Sequence, residues 1–384
     1  LGRVDELGRI GPSGRISRVD ILAVEGVVRY YKDDRSGAVT VLEEVVQRGR
    51  RGEPAQLLIP ALVTLAEAAF HLGRWDDASM HAELAVSLAT DTDAFAALVQ
   101  ARAAATEIQA ARGQFDEAEA HLEAARALVP AMPAWPVHLR IAVASASLAI
   151  ARDDLDALQA AAHELTTGWM GEQLHELAWW RWRVIVADAQ LAVGHLDDAA
   201  VMIERLVDVV TGHGYSAAAS DVARLRGLLA EAQGRSDAAE SAYRLDPVTN
   251  PATQSPLSGA RLAMALGNFL RSTGEHRLAI DELGRAHTTF VALGAEPYAN
   301  RCAADLAACG ERVPDRVGRL TVNLSPRQEA VALLVTEGHS NKEIASKLYI
   351  SVKGVEYHLG QIFTRTGFTS RRDLARWIRD NRTR

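Results

Sequence analysis

From about Val19 the chain alternates apolar helical faces with short polar turns, and it does so at a fixed interval. Leu65, Ala66, Ala69 and Leu72 share helical spacing before Gly73, and Trp75, Ala78, Ala82 and Ala85 share it afterwards. The turn itself recurs. DDRSGA ends at Ala38, GRWDDA at Ala78, GQFDEA at Ala118, GHLDDA at Ala199, GRSDAA at Ala239 and GEHRLA at Ala279, with a degenerate copy, DDLDAL, ending at Leu158. Successive ends lie 40 or 41 residues apart. A fixed period of that size predicts a solenoid in which each unit is one supersecondary element.

Glycine ends the first helix of each unit, and the Asp pair falls in the first turn of the second, where it suits the helix dipole. Small residues recur seven positions after the turn alanine, at Ala85, Ala125 and Ala286, which lets a neighbouring helix approach closely. The pattern G-x-[WFL]-D-[DE]-A resembles tetratricopeptide repeats, lengthened from about 34 residues. The resemblance implies at least seven stacked helix pairs in a curved superhelix with a concave surface. Val129–Pro136 and Asp246–Pro256 carry too much proline for helix and are predicted to be loops. The expected organisation is a poorly ordered segment over 1–18, a repeat domain over 19–309, a linker over 310–323 and a second domain over 324–384.

That second domain has its own pattern. Ser325-Pro326-Arg327-Gln328, Ser340-Asn341-Lys342-Glu343 and Ser370-Arg371-Arg372-Asp373 are capping boxes, Ser351 can cap a further helix, and Gly338 and Gly367 supply stops. Apolar residues keep helical spacing at Val331, Leu334 and Val335, at Ile344, Ala345 and Leu348, and at Val355, Leu359, Ile362 and Phe363. The second and third helices, joined by Tyr349 to Ser351, form a helix-turn-helix, whose later helix enters the major groove. Five blocks in register, from L-S-P-R-Q-x-x-V at Leu324 through G-H-S-N-K-E-I-A at Gly338, L-Y-I-S at Leu348 and V-x-x-H-L at Val355 to G-F-T-S-R at Gly367, resemble the LuxR-type DNA-binding domain. The chain is therefore expected to be all-α: a tetratricopeptide-like superhelix followed by a four-helix LuxR-type module.

The resemblance places groove-facing residues at Glu356, Tyr357 and Gly360. Many family members carry basic residues at the first and last of these, so the bases read here differ. Glu356 suits cytosine N4 or an ion pair with Lys353, and Tyr357 suits a thymine methyl or a phosphate. Lys353 is a candidate for phosphate or guanine. Ser340, Asn341 and Lys342 open the scaffold helix and suit a phosphate, with capping as Ser340's other role. His358 matches the motif histidine, which packs under the helix or reaches the DNA backbone. Arg365, Arg371 and Arg372 are phosphate candidates or solvated charges. Leu374, Trp377 and Ile378 lie on the last helix, which in this family commonly forms a dimer interface.

Charge adds to this picture. Residues 318–384 hold 12 Arg and Lys against 6 Asp and Glu, while the whole chain is at -7, so the body is acidic and its end basic. Such an asymmetry fits a nucleic-acid-binding terminal domain. Cys302 and Cys309 are seven apart on a predicted helix, roughly 10 Å along its axis, so no disulfide is expected and the compartment reads as reducing and cytoplasmic. No apolar run reaches about 18 residues, so no membrane span is expected.

One patch stands apart. Trp169, Trp179, Trp180 and Trp182, with Arg181 and Arg183 interleaved, form either a ligand or partner site or a core stripe along which the arginines snorkel. Phosphate-loop, HExxH, CxxC and GxSxG patterns are absent, and the 12 histidines show no ligand spacing. Neither an enzyme nor a cofactor or metal is expected. Repeats followed by this module resemble the back half of the large ATP-binding LuxR regulators of the maltose-regulon activator type, in which an ATPase precedes repeats that bind an inducer. No ATPase is read here, so this sequence is either part of a longer chain or a variant without that domain. The expected partners are double-stranded DNA, an unidentified small-molecule or protein effector and RNA polymerase, with the chain a homodimer on DNA. The other reading is a repeat scaffold that uses its last helices for protein contacts.

Overall fold

A left-handed residue recurs with the period of the chain: Asp33, Gly73, Gly113, Asp153, Gly194, Gly234 and Gly274 all have positive φ. Glycine takes that conformation without a Cβ penalty and Asp tolerates it, so both DD copies of the turn work. In the computed structural model, which describes residues 17–129, 135–167, 180–244, 255–311, 326–348, 352–366, 368 and 370–382, each of these residues separates two helices. The pairs are α1 (Arg18–Tyr31) with α2 (Arg35–Arg50), α3 (Leu58–His71) with α4 (Trp75–Asp91), and α5 (Phe95–Arg112) with α6 (Phe115–Arg126). They continue as α7 (Trp135–Arg152) with α8 (Leu155–Thr166), α9 (Arg181–Ala192) with α10 (Leu196–His213), and α11 (Ala219–Ala232) with α12 (Ser236–Tyr243). The last pair is α13 (Pro256–Ser272) with α14 (His276–Leu293), and α15 (Glu296–Ala308) follows as a single helix. No strand occurs among the described residues.

The turn alanines are the buried hinge of each pair. Ala38, Ala78, Ala118, Ala199, Ala239 and Ala279 are all fully buried. Seven positions later the residue is again fully buried, but it need not be small: Val45, Leu165 and Leu206 stand beside Ala85, Ala125 and Ala286. Volume is instead balanced between the helices of a pair. A Cβ on Gly26 would lie 2.5 Å from the Leu42 side chain, one on Gly227 2.2 Å from the Tyr243 ring, and one on Gly267 2.7 Å from Leu283. Where the first helix carries Ala instead, at Ala66 and Ala146, the matching positions are the small Ala82 and Ala162.

Several boundaries differ from the sequence expectation. Ser17 caps α1 in a reciprocal box with Asp20, so the repeat unit begins inside the segment read as poorly ordered. Trp135 and Pro136 belong to α7 and Pro256 opens α13 behind a Ser255 cap, because proline is tolerated in the first helical turn. Residues 130–134 and 246–254 of those two predicted loops, and the linker from 312 to 323, lie outside the described residues.

The expected concave surface is also not an open groove. Every residue of α3 from Ala61 to His71 is buried. The superhelix is tight enough for its late helices to reach its early ones. Helix α15 packs on α5 and α7, Arg301 donates to the Ile150 carbonyl at 3.0 Å, and the Ala217 N–H donates to Asp33 at 2.8 Å. Two compact units result, Leu1–Val313 and Pro314–Arg384. Among the described residues no helix is long and apolar enough to cross a membrane, and both cysteines are free thiols.

Gly227→Ala is expected to destabilise the chain by about 1–3 kcal/mol, since the Tyr243 ring has to move. Gly284→Ala, a helical position with open space around it, is expected to stabilise by up to ~1 kcal/mol. Thermal unfolding of the two variants beside the parent checks the pair.

Candidate nucleic-acid interface and axial cavity

In the second unit, α16 (Pro326–Thr336), α17 (Asn341–Leu348), α18 (Val352–Thr366) and α19 (Arg371–Arg382) close around one small core. Val331, Ile344, Val355, Ile362 and Leu374 are fully buried in it, and Val335, Ala345 and Leu359 nearly so. Gly338 takes φ +87° and stops α16. Ser340 and Glu343 then form the expected reciprocal box: the Ser340 N–H and hydroxyl donate to the carboxylate at 2.7 Å each, and the Glu343 N–H donates back at 3.3 Å. These bonds to Ser340 hold the Glu343 carboxyl below its ordinary range. Ser370 and Asp373 repeat the device at the start of α19. Ser325 and Ser351 lie outside the described residues.

Helical spacing then sorts the sequence candidates. Val355, Leu359 and Ile362 turn inward, which leaves Lys353, Glu356 and Gly360 exposed on the other face of α18. A Cβ at Gly360 would meet nothing within 4 Å, so this face is open at that point. Ser340 and Lys342 are exposed at the start of α17, with Asn341 half-buried beside them. Tyr357 is half-buried and sets its ring edge-on to His358 at 5.8 Å.

Three further candidates are set by burial and by their bonds. His358 is fully buried and packs under the helix. Arg371 points inward: it donates to the His339 carbonyl at 2.6 Å and to the Asn341 side-chain oxygen. It therefore clamps α19 to the start of α17, and its guanidinium is occupied there. Leu374 belongs to the core, so of the three proposed dimer residues only Trp377 and Ile378 keep surface; the Trp377 ring packs on Phe368 at 6.0 Å. The side chain of Arg365 lies outside the described residues, and Arg372 is exposed.

In the first unit, polar chemistry collects along the superhelix axis. Arg140 of α7 pairs with Glu67 of α3, Arg181 of α9 with Glu107 of α5 at 2.5 Å, and Arg261 of α13 with Asp188 of α9 at 3.0 Å. Each pair skips one repeat. Arg224 adds two bonds to Asp188, at 2.6 and 2.8 Å. Burial works against the charge of Arg140, but Glu67 and its neighbours outweigh it and raise the pKa. The Asp188 carboxyl is likewise held below its ordinary range, because Arg224 and Arg261 outweigh its burial. A cavity of about 90 Å³ lies among these groups.

The tryptophan patch divides. Trp169 and Trp179 lie outside the described residues, Trp182 is fully buried core, and Trp180 lines the axial cavity. The arginines do not snorkel. Arg181 is spent on Glu107, and Arg183 is 2% exposed with its guanidinium 4.5 Å from the Trp182 ring centre. Burial, with the Arg205 charge nearby, pulls Arg183 down to about 10. Sequence reasoning missed the axial pairs, although their signal was present. Arg140, Arg181, Asp221, Arg261 and Arg301 recur at the repeat period, as do Glu67, Glu107, Ser147 and Asp188.

Comparison with known proteins bears on each unit separately. Residues 322–378 match the family model described as bacterial regulatory proteins, luxR family. The response regulator Rre1 of Synechocystis sp. is 41% identical over 58 residues, which is 15% of this chain and 25% of that protein. The probable transcriptional regulator ycf29 of Cyanophora paradoxa is 37% identical over 62 residues, 16% of this chain and 30% of the relative. The oxygen regulatory protein NreC of Staphylococcus aureus is 43% identical over 54 residues, 14% of this chain and 25% of the relative. The chain thus spans less than a third of the length of these relatives. For the fold as a whole, the crystal structure of a Rap protein complexed with Competence and Sporulation Factor superposes with a TM-score of 0.55 at 13% identity, over 72% of this chain and 75% of that one. That likeness is one of fold. The C-terminal four helices are a helix-turn-helix domain of the luxR family of bacterial regulatory proteins, carried behind a tetratricopeptide-like repeat unit.

Proposed function

We propose that this chain is a sequence-specific DNA-binding transcriptional regulator whose repeat unit senses an effector and controls the C-terminal module. The observation that carries the reading is the luxR-family match over 322–378, joined to a recognition helix that turns Lys353, Glu356 and Gly360 outward from a complete core. Lys342 and the exposed face of α17 supply backbone contacts, and Glu356 supplies readout at a cytosine. Trp377 and Ile378 form the contact between two modules on paired half-sites. The sensing half is supported by the fold alone: the Rap protein of similar fold was crystallised with a bound factor. A population shift then follows only from an effector that prefers one arrangement of the chain.

Selection of genomic fragments by the full chain, beside residues 318–384 alone, tests the first half. Enrichment of one common sequence by both is expected, and no enrichment by either removes the proposal. Salt dependence tests the residue roles. Replacing Lys342 and Lys353 together with Ala is expected to weaken binding and to flatten the log–log salt slope by about 0.9 for each phosphate that is no longer neutralised. Arg371→Ala is expected to weaken binding with the slope unchanged, because its guanidinium holds α17 in place and touches no phosphate. A slope that falls with Arg371→Ala would return that residue to the DNA-contact set.

A further inference from the structure

The cavity on the superhelix axis is lined by three cations, Arg35, Arg181 and Arg261, and by three carboxylates, Glu107, Asp188 and Asp221. At about 90 Å³ it has the room of about three waters. Most of these charges are satisfied within the protein. Arg181 holds Glu107, while Arg224 and Arg261 hold Asp188. Asp221 is different. Its Oδ2 accepts from Ser258 at 2.9 Å, but its Oδ1 accepts no hydrogen bond; the Arg224 guanidinium lies 3.8 Å from it, beyond hydrogen-bond reach. His71 also lines the cavity, and its Nε2 has no partner. The two residues are 4% and 7% exposed. Unpaired polar atoms are costly at such depth, so two on one cavity mark a place to be filled.

The surroundings select what fills it. Burial, together with the charges of Arg35, Arg181 and Arg140, drives the His71 pKa well below its ordinary value and keeps the ring neutral. A negative group beside His71 would meet no repulsion from the ring and would lie near the Arg35 guanidinium, which sits 3.7 Å from Asp33. At Asp221 the missing partner is a donor, and a positive donor suits a carboxylate best. The six lining charges balance, so the site favours a molecule that is neutral overall yet carries both signs. Phe70, Trp180 and Tyr298 add apolar wall for a short side chain. We infer that the axial cavity binds a small zwitterion of the amino-acid class, with its carboxylate between Arg35 and His71 and its ammonium on Asp221. This deepens the sensing half of the proposed function and rests on it. The walls come from helices spread over the whole repeat unit, so a ligand here favours the closed superhelix over any form in which its seam has opened.

Calorimetric titration and thermal unfolding of the full chain test the inference, with glycine, L-alanine, acetate, methylamine and glycerol as separate probes at millimolar concentration and matched ionic strength. Glycine or alanine is expected to give saturable heat and to raise Tm by about 2–4 °C or more, the shift that binding to the native state alone produces in a unit of this size. Acetate, methylamine and glycerol are expected to give less than half of that. Asp221→Asn should abolish the response. Ala111→Leu, which fills the cavity from α5, should abolish it by a separate route. If circular dichroism shows either variant unfolded, competition of acetate and methylamine together against glycine on the parent chain decides. The inference is overturned if neither amino acid binds saturably, if acetate or glycerol matches them, or if folded variants respond like the parent. Fragment selection by residues 318–384 does not depend on this cavity, so failure here and failure of the DNA-binding reading are separately visible.

Discussion

Ion pairs that skip a repeat hold the first unit to its shape. An arginine on one inner helix meets a carboxylate that lies two repeats back and two helical turns further along, as in Arg140 with Glu67, Arg181 with Glu107, and Arg261 with Asp188. Neighbour-to-neighbour packing alone would allow a range of superhelical pitches. A charge that must find its partner across the axis allows few. Such pairs gain little net stability, since desolvation consumes most of the attraction, but a buried charge stripped of its partner is costly. They act as a geometric constraint: the superhelix closes enough to bring these arginines to their carboxylates, and its late helices come to rest on its early ones.

The closed axis limits what the proposed sensing half could receive. An open concave groove would receive a peptide or a protein surface along its length. Here the inner helices meet, and among the described residues they enclose a small cavity, lined by both charged and apolar side chains, that touches most of the repeats at once. On the proposed function, occupancy of this cavity reports on the whole repeat unit. The DNA module is built differently. Its core of Val331, Ile344, Val355, Ile362 and Leu374 is complete within four helices, so on the proposed function any control from the repeats would act on the availability or pairing of the module and not on the shape of its reading face.

Much of this was legible in the sequence. The turn residues, the buried turn alanines and the capping box at Ser340 are local signals, and each appears where its chemistry places it. The axial pairs were harder to see. Their period matched that of the turns, but which repeat meets which depends on the pitch, and pitch is a property of the assembled stack. The inward turn of Arg371 was hidden for a similar reason, since its partners His339 and Asn341 lie some thirty residues earlier and are met only through the packing of α19 beside α17. His358 was open to either role by residue type, and helical spacing sets it on the inward face with Val355 and Leu359, where it is fully buried.

A double-mutant cycle on Arg140 and Glu67 tests the axial constraint most directly. Glu67→Met and Arg140→Met would each remove one partner and leave the other charge buried, and urea unfolding of the two single variants and the double gives the coupling. Each single change is predicted to cost about 3–5 kcal/mol. The double is predicted to fall short of the sum of the singles by at least ~1 kcal/mol, because it leaves no orphan charge. Singles that cost less than ~1 kcal/mol, or a double equal to their sum, would contradict an axis held by paired charges.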